Sequence, residues 1–169
     1  MSSPAEIVQK KEALLKDWHT GLRLLQIGNF RASSYYAKVG KRFGIPVVIT
    51  TTIVSSAIFA SLGESDHKVL QLIAGFVSIL STILSSLQTF LGYSERSSSH
   101  KEAAAGYGEL RTEVQVLLSL DLVAVTNLDA RIEGIRTRWN ALDKGSPPLP
   151  DWVRAEASKT AEAEAAAMV

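Results

Sequence analysis

The chain has 169 residues and a formal net charge of +1, from 18 basic and 17 acidic side chains, which suits one or two domains and gives no general attraction to nucleic acid. Cysteine is absent, so disulfides, thiolate nucleophiles and cysteine-based zinc sites are excluded. Mean hydropathy is nevertheless +0.11, so the apolar residues must be concentrated away from the visibly polar ends.

The N-terminal segment, 1–42, opens with a helix start: Ser3 as N-cap, Pro4 at the first position and Glu6 closing a capping box. Val8, Leu15, Trp18, Leu22 and Leu25 mark one apolar helix face. No apolar h-region precedes them, so a cleaved secretory signal is not expected. Pro46 in "FGIP" disfavours helix at Ile45 and predicts a bend there.

Residues 43–94 carry the unusual composition. "FGIPVVITTTIVSSAIFASL" has no ionisable side chain, and a second uncharged run begins at Val69 after "GESDHK". At about 1.5 Å per residue, some 20 residues cross the roughly 30 Å hydrocarbon core of a bilayer. The two runs therefore predict a transmembrane hairpin with spans at about 43–62 and 69–93. Gly63 supplies a C-cap, Ser65 and Asp66 an N-cap, and so short a link makes the helices antiparallel neighbours. Arg31, Lys38, Lys41 and Arg42 before the first run, with Arg96 and Lys101 after the second, outnumber Lys68 in the loop. The positive-inside rule then predicts an integral membrane protein with both termini cytoplasmic, with Tyr35, Tyr36 and Tyr93 at the headgroup boundary.

Within the second run, Gln71, Gly75, Ser78, Thr82, Ser85 and Thr89 recur at steps of four and three and form a small, polar stripe. Leu72, Ile73, Phe76, Ile79, Ile83 and Phe90 occupy the opposite face. The first run carries its own small or polar row, Thr52, Ser56 and Ala60. Two readings fit. The stripe packs helices together, with hydroxyls bonding across the contact at about 0.6 kcal/mol each, or it lines a water-filled pore in an oligomer. Both require self-association, because one hairpin cannot cover so much small, polar surface.

Beyond the hairpin, 95–150 reads as further helix, with Ala103, Tyr107, Leu110, Val114 and Leu117 in register, and then Leu128, Ile132, Ile135, Trp139 and Leu142 spaced four, three, four, three. With no proline between them, the second run and the helix after it read as one rod, weak at Gly92 and at Ser97 to Ser99. "GSPPLP" ends the last periodic helix, and the tail 151–169 is Ala/Glu-rich. The expected architecture is all-α: a transmembrane hairpin with a cytoplasmic bundle formed by the N- and C-terminal helices.

Catalytic motifs are lacking. "GYG" at Gly106 to Gly108 follows both runs, and Tyr107 fits a helical register, which sets a channel-filter reading aside. His19, His67 and His100 have no metal-ligand spacing, and no P-loop, nucleophile elbow or dinucleotide glycine pattern occurs. Neither enzymatic activity nor a cofactor is expected.

An Arg followed by "SSYY" before an uncharged hairpin, then "HKEAAAGYGELRTEV" and a closing "SPPLPDW", resembles the SLATT family, the SMODS and SLOG-associating two-transmembrane effector domains. The similarity runs from about Trp18 to Trp152 and places Arg31, Tyr35, His100 and Tyr107 on the family motif. It implies a pore-forming effector of a prokaryotic conflict system, acting in a lipid bilayer beside a separate sensor or nucleotide-signal protein. The expectation is an oligomeric channel or pore, with a non-conducting membrane scaffold or adaptor as the alternative. His100, near the expected boundary, is a candidate pH sensor.

Overall fold

A computed structural model describes residues 4–61 and 68–167, leaving out the side chains of 4, 5, 55, 57–61, 68–71, 74, 88, 90 and 161–167. Five helices account for nearly all of them: α1 (Pro4–Ser61), α2 (Lys68–Leu91), α3 (Tyr93–Leu118), α4 (Leu128–Gly145) and α5 (Asp151–Ala167). No strand occurs among the described residues. The chain divides into two compact units, Met1–Ser33 with Ser98–Val169, and Ser34–Ser97.

The first unit is a helical bundle built on the apolar faces that the periodicity predicts. Leu15 and Leu22 of α1, Tyr107, Leu110, Val114 and Leu117 of α3, and Leu128 and Ile135 of α4 form its buried core, with Val8, Trp18, Leu25, Ile132, Trp139 and Leu142 packed against it. Cross-helix pairs fix the directions. Asn29 meets His100 and Gln26 lies beside Gly108, while Tyr107 meets Asp143 and Glu113 meets Arg138, so α3 runs antiparallel to both α1 and α4. Lys11 pairs with Asp129 at 2.6 Å, while the Trp18 and Trp139 rings meet edge to face at 5.7 Å, so α1 and α4 run parallel. The turn between α3 and α4 is held by the Asp121 carboxylate, which accepts a bond from the Val123 amide, and by Asn127 in the left-handed region at φ 59°. After the prolines, the Pro150 carbonyl accepts from the Val153 and Arg154 amides and starts α5. Gly28 lies against Leu149 and Val153, and Arg31 reaches the Thr160 hydroxyl at 2.8 Å and Glu156 at 3.6 Å.

The second unit is a helical hairpin. α1 continues through Pro46 without ending, so Ile45 is helical although the proline disfavours helix there. The missing amide costs one helical bond. Around it the Thr50 hydroxyl binds the Pro46 carbonyl at 2.7 Å and the Thr51 hydroxyl binds that of Val47 at 2.8 Å. The rod expected to run on from the second span breaks at Gly92, whose φ of 55° is the conformation glycine takes most readily. α3 restarts at once, the Arg96 amide bonding the Gly92 carbonyl.

Among the described residues no helix is long and apolar enough to cross a membrane, so the expected transmembrane hairpin and the integral-membrane placement with cytoplasmic termini are overturned. Ser78, Ser81, Thr82, Ser85, Ser86 and Thr89 are interleaved with the described apolar side chains of α2, which lowers its apolar content. Thr50, Thr51 and Thr52 are interleaved with those of α1 in the same way. The remainder of both predicted spans, 43–62 and 69–93, and the loop between them fall partly outside the described residues.

Candidate assembly surface

The hairpin has an inner seam and an outer face, and their chemistry is the reverse of a helix pair built for water. Val47 and Val54 of α1 and Ser81 of α2 are buried along the seam. The Ser81 hydroxyl points to that of Thr50 at a long 3.4 Å. Beside this line lies a cleft of about 380 Å³ bounded by Val47, Thr51 and Val54 on one helix and by Ser78, Ser81, Thr82, Ser85 and Ser86 on the other. Hydroxyls therefore cluster where a water-soluble hairpin would place leucines.

The large apolar side chains point outward. Leu72 is 76 % exposed, Phe76 70 %, Ile79 63 % and Ile83 51 %, with Leu80 and Leu87 next to them. On α1, Ile45, Val48, Ile49 and Ile53 are likewise exposed. Gly75 interrupts the α2 face: a methyl group added there would meet nothing within 4 Å. Leu72, Ile73, Gly75, Phe76, Val77 and Ile79 line a hollow of about 590 Å³ around it.

The hydroxyls of the predicted stripe spend much of their bonding capacity locally. Thr82 donates to the Ser78 carbonyl at 2.9 Å and Thr89 to that of Ser85 at 3.1 Å. Thr52 donates to Val48 at 2.8 Å and Ser56 to Thr52 at 2.9 Å. Such back-bonding satisfies a buried or apolar-facing hydroxyl without any partner helix. Ser78 is half-buried at the cleft, while Gly75, Thr82, Ser85 and Thr89 are exposed. Thr52 and Ser56 are exposed as well and lie outside the lining of the cleft. The side chains of Gln71 and Ala60 lie outside the described residues.

At the base of the hairpin an aromatic stack forms. Tyr93 lies between Phe43, at 6.2 Å between centroids, and Tyr36, at 6.3 Å, with the Arg96 guanidinium 5.9 Å over the Tyr36 ring. Tyr35 meets Tyr36 edge to face at 5.5 Å. Lys41 and Arg42 are exposed, and Lys41 borders a cleft of about 740 Å³ that Tyr36, Gly40 and Tyr93 also line.

The other candidates lie in the bundle. His100, only 2 % exposed, places its Nδ1 2.8 Å from the Asn29 Oδ1. Asn29 Nδ2 donates to the Leu25 carbonyl at 2.9 Å, which leaves Oδ1 as acceptor and puts the imidazole proton on Nδ1. Tyr107 is equally buried and its hydroxyl donates to Asp143 at 2.6 Å. Burial, then the bond to Asp143, pushes its pKa up to about 12. Arg31, His100 and Tyr107 are thus held by contacts within the bundle. The sequence reading missed Asn29, Asp143, Glu156 and Thr160, since a polar side chain within a helix reads as surface until its partner is known. It also gave His19 no particular environment. Burial, followed by the nearby charges of Arg111 and Arg23, holds the His19 pKa below its ordinary value. Among the described residues, no cluster of histidine and acidic side chains could hold a metal ion.

Comparison with protein families, curated proteins and solved structures returns no match for this chain.

Proposed function

We propose that the chain is a self-associating helical scaffold or adaptor, whose hairpin binds other copies while its bundle presents a surface to a further partner. One observation carries the reading: the hairpin leaves its large apolar side chains exposed, while its seam holds only Val47, Val54 and Ser81 beside a cleft bordered mainly by serines and threonines. Each leucine, isoleucine or phenylalanine removed from water contributes roughly 1.5–3 kcal/mol. An exposed surface of this kind marks an interaction site. Because 43–62 and 69–94 contain no acidic or basic side chain, a charged partner gains nothing there, whereas another copy offers a matching uncharged face. The channel reading depended on two spanning helices, so the scaffold alternative, without its membrane, is the one put forward. The motifs shared with the SLATT family support a separate sensor or nucleotide-signal protein as the partner of the bundle. Sedimentation equilibrium of the purified chain tests self-association: a mass of two or more copies in the micromolar range supports it, and a monomer at every concentration refutes it.

A further inference from the structure

Within that reading, which this inference presupposes, we propose that two copies meet about a twofold axis through the outer face of α2, with the hollow at Gly75 of each receiving apolar side chains of the other. A twofold interface uses the same patch on both copies, so the patch must carry its own complement. This one does. Leu72, Phe76, Ile79 and Ile83 recur at steps of four, three and four and project from a single face, largely uncovered. Gly75 lies beside them with open space where its side chain would be. Projections and hollow therefore share one face, about one helical turn apart.

Charge narrows the occupant. After Lys68, α2 contains no ionisable residue through Leu91, so nothing on this face would orient a charged peptide or a phosphate group. Its complement must be equally apolar and uncharged, and a second α2 is such a surface. The opposite side of α2 is already committed, with Ser81 buried and the serines from Ser78 to Ser86 bordering the intrachain cleft. The exposed outer arc is the part left to a partner. Glycine also permits close approach of two helix backbones, which increases the dispersion contacts of a crossing.

The natural absence of cysteine makes the test direct. Single substitutions Leu72→Cys, Gly75→Cys and Ile79→Cys probe the outer face, and Ser81→Cys and Ser85→Cys probe the seam. Mild oxidation and a non-reducing gel read the rate of disulfide-linked dimer, while sedimentation of the unmodified chain reads its mass. We expect at least fivefold faster cross-linking at 72, 75 and 79 than at 81 and 85. Gly75→Leu, which fills the hollow, is expected to weaken dimerisation about tenfold or more with an unchanged far-ultraviolet spectrum. A dimer that cross-links only through 81 and 85, or that Gly75→Leu leaves intact, overturns this interface and leaves the scaffold reading standing. A monomer overturns both, including a monomer whose apolar face is found covered by detergent, lipid or an unrelated protein.

Discussion

The Asn29 Oδ1 accepts a hydrogen bond from the His100 Nδ1 at 2.8 Å, across 71 residues of sequence and inside the bundle. Both side chains are almost fully buried. The pair joins α1 to α3 within the first unit. Removing a buried acceptor leaves its donor to bear the desolvation penalty, about 1–3 kcal/mol. Asn29→Ala is therefore expected to lower unfolding free energy by that amount in urea denaturation. Asn29→Asp retains an oxygen facing the ring and should recover part of the loss. If Asn29→Ala unfolds at the wild-type urea midpoint, the bond is not a net stabilising contact.

Tyr107 and Asp143 offer a second measurable link. Burial and the 2.6 Å bond to Asp143 push the phenol pKa up to about 12 from an ordinary value near 10. The sign follows from proton linkage. Between those two values the unfolded chain loses the proton while the folded chain keeps it, so stability falls as pH rises through this window. Below pH 10 the contribution is present in full. Spectrophotometric titration should find one of the four tyrosines ionising near pH 12, and Tyr107→Phe should abolish that phase. At neutral pH the same substitution is expected to cost about 1 kcal/mol in denaturation, because Asp143 is exposed and regains water when the hydroxyl is removed.

Much of the bundle was legible because apolar periodicity is a local signal. Ala103, Tyr107, Leu110, Val114 and Leu117 were picked out by spacing alone and are all buried. Polar members of the core were illegible for the opposite reason: Asn29 shares no pattern with His100, and their relationship exists only once α1 and α3 lie side by side. Gly92 was readable as a weak point, and the break occurs there, whereas Pro46 was overridden by the helix around it. For the hairpin, the division of α2 into a small polar side and a large apolar side was visible in the sequence. Which side faces α1 was not, since that depends on Val47, Thr50 and Val54 presenting a seam to Ser81. Lack of charge was read as hydrocarbon solubility, and no helix among the described residues is long and apolar enough to support that step.

Two glycines in the bundle separate helix propensity from packing. Gly134 lies in the interior of α4, exposed, and an added Cβ would meet nothing within 4 Å. Gly134→Ala should therefore realise the intrinsic helix preference, a gain of about 0.5–1 kcal/mol. Gly106 on α3 faces Leu142 of α4, both of whose methyl carbons would stand 3.0 Å from the new atom. Alanine there has the same propensity advantage, but Leu142 must move, and overpacking of that kind costs about 1–3 kcal/mol. Gly106→Ala is accordingly expected to be less stable than Gly134→Ala by at least about 1 kcal/mol, measured by urea denaturation at equal protein concentration. Equal gains at the two positions would mean that Leu142 yields freely, and that α3 and α4 are less closely packed at this crossing than the structure has them.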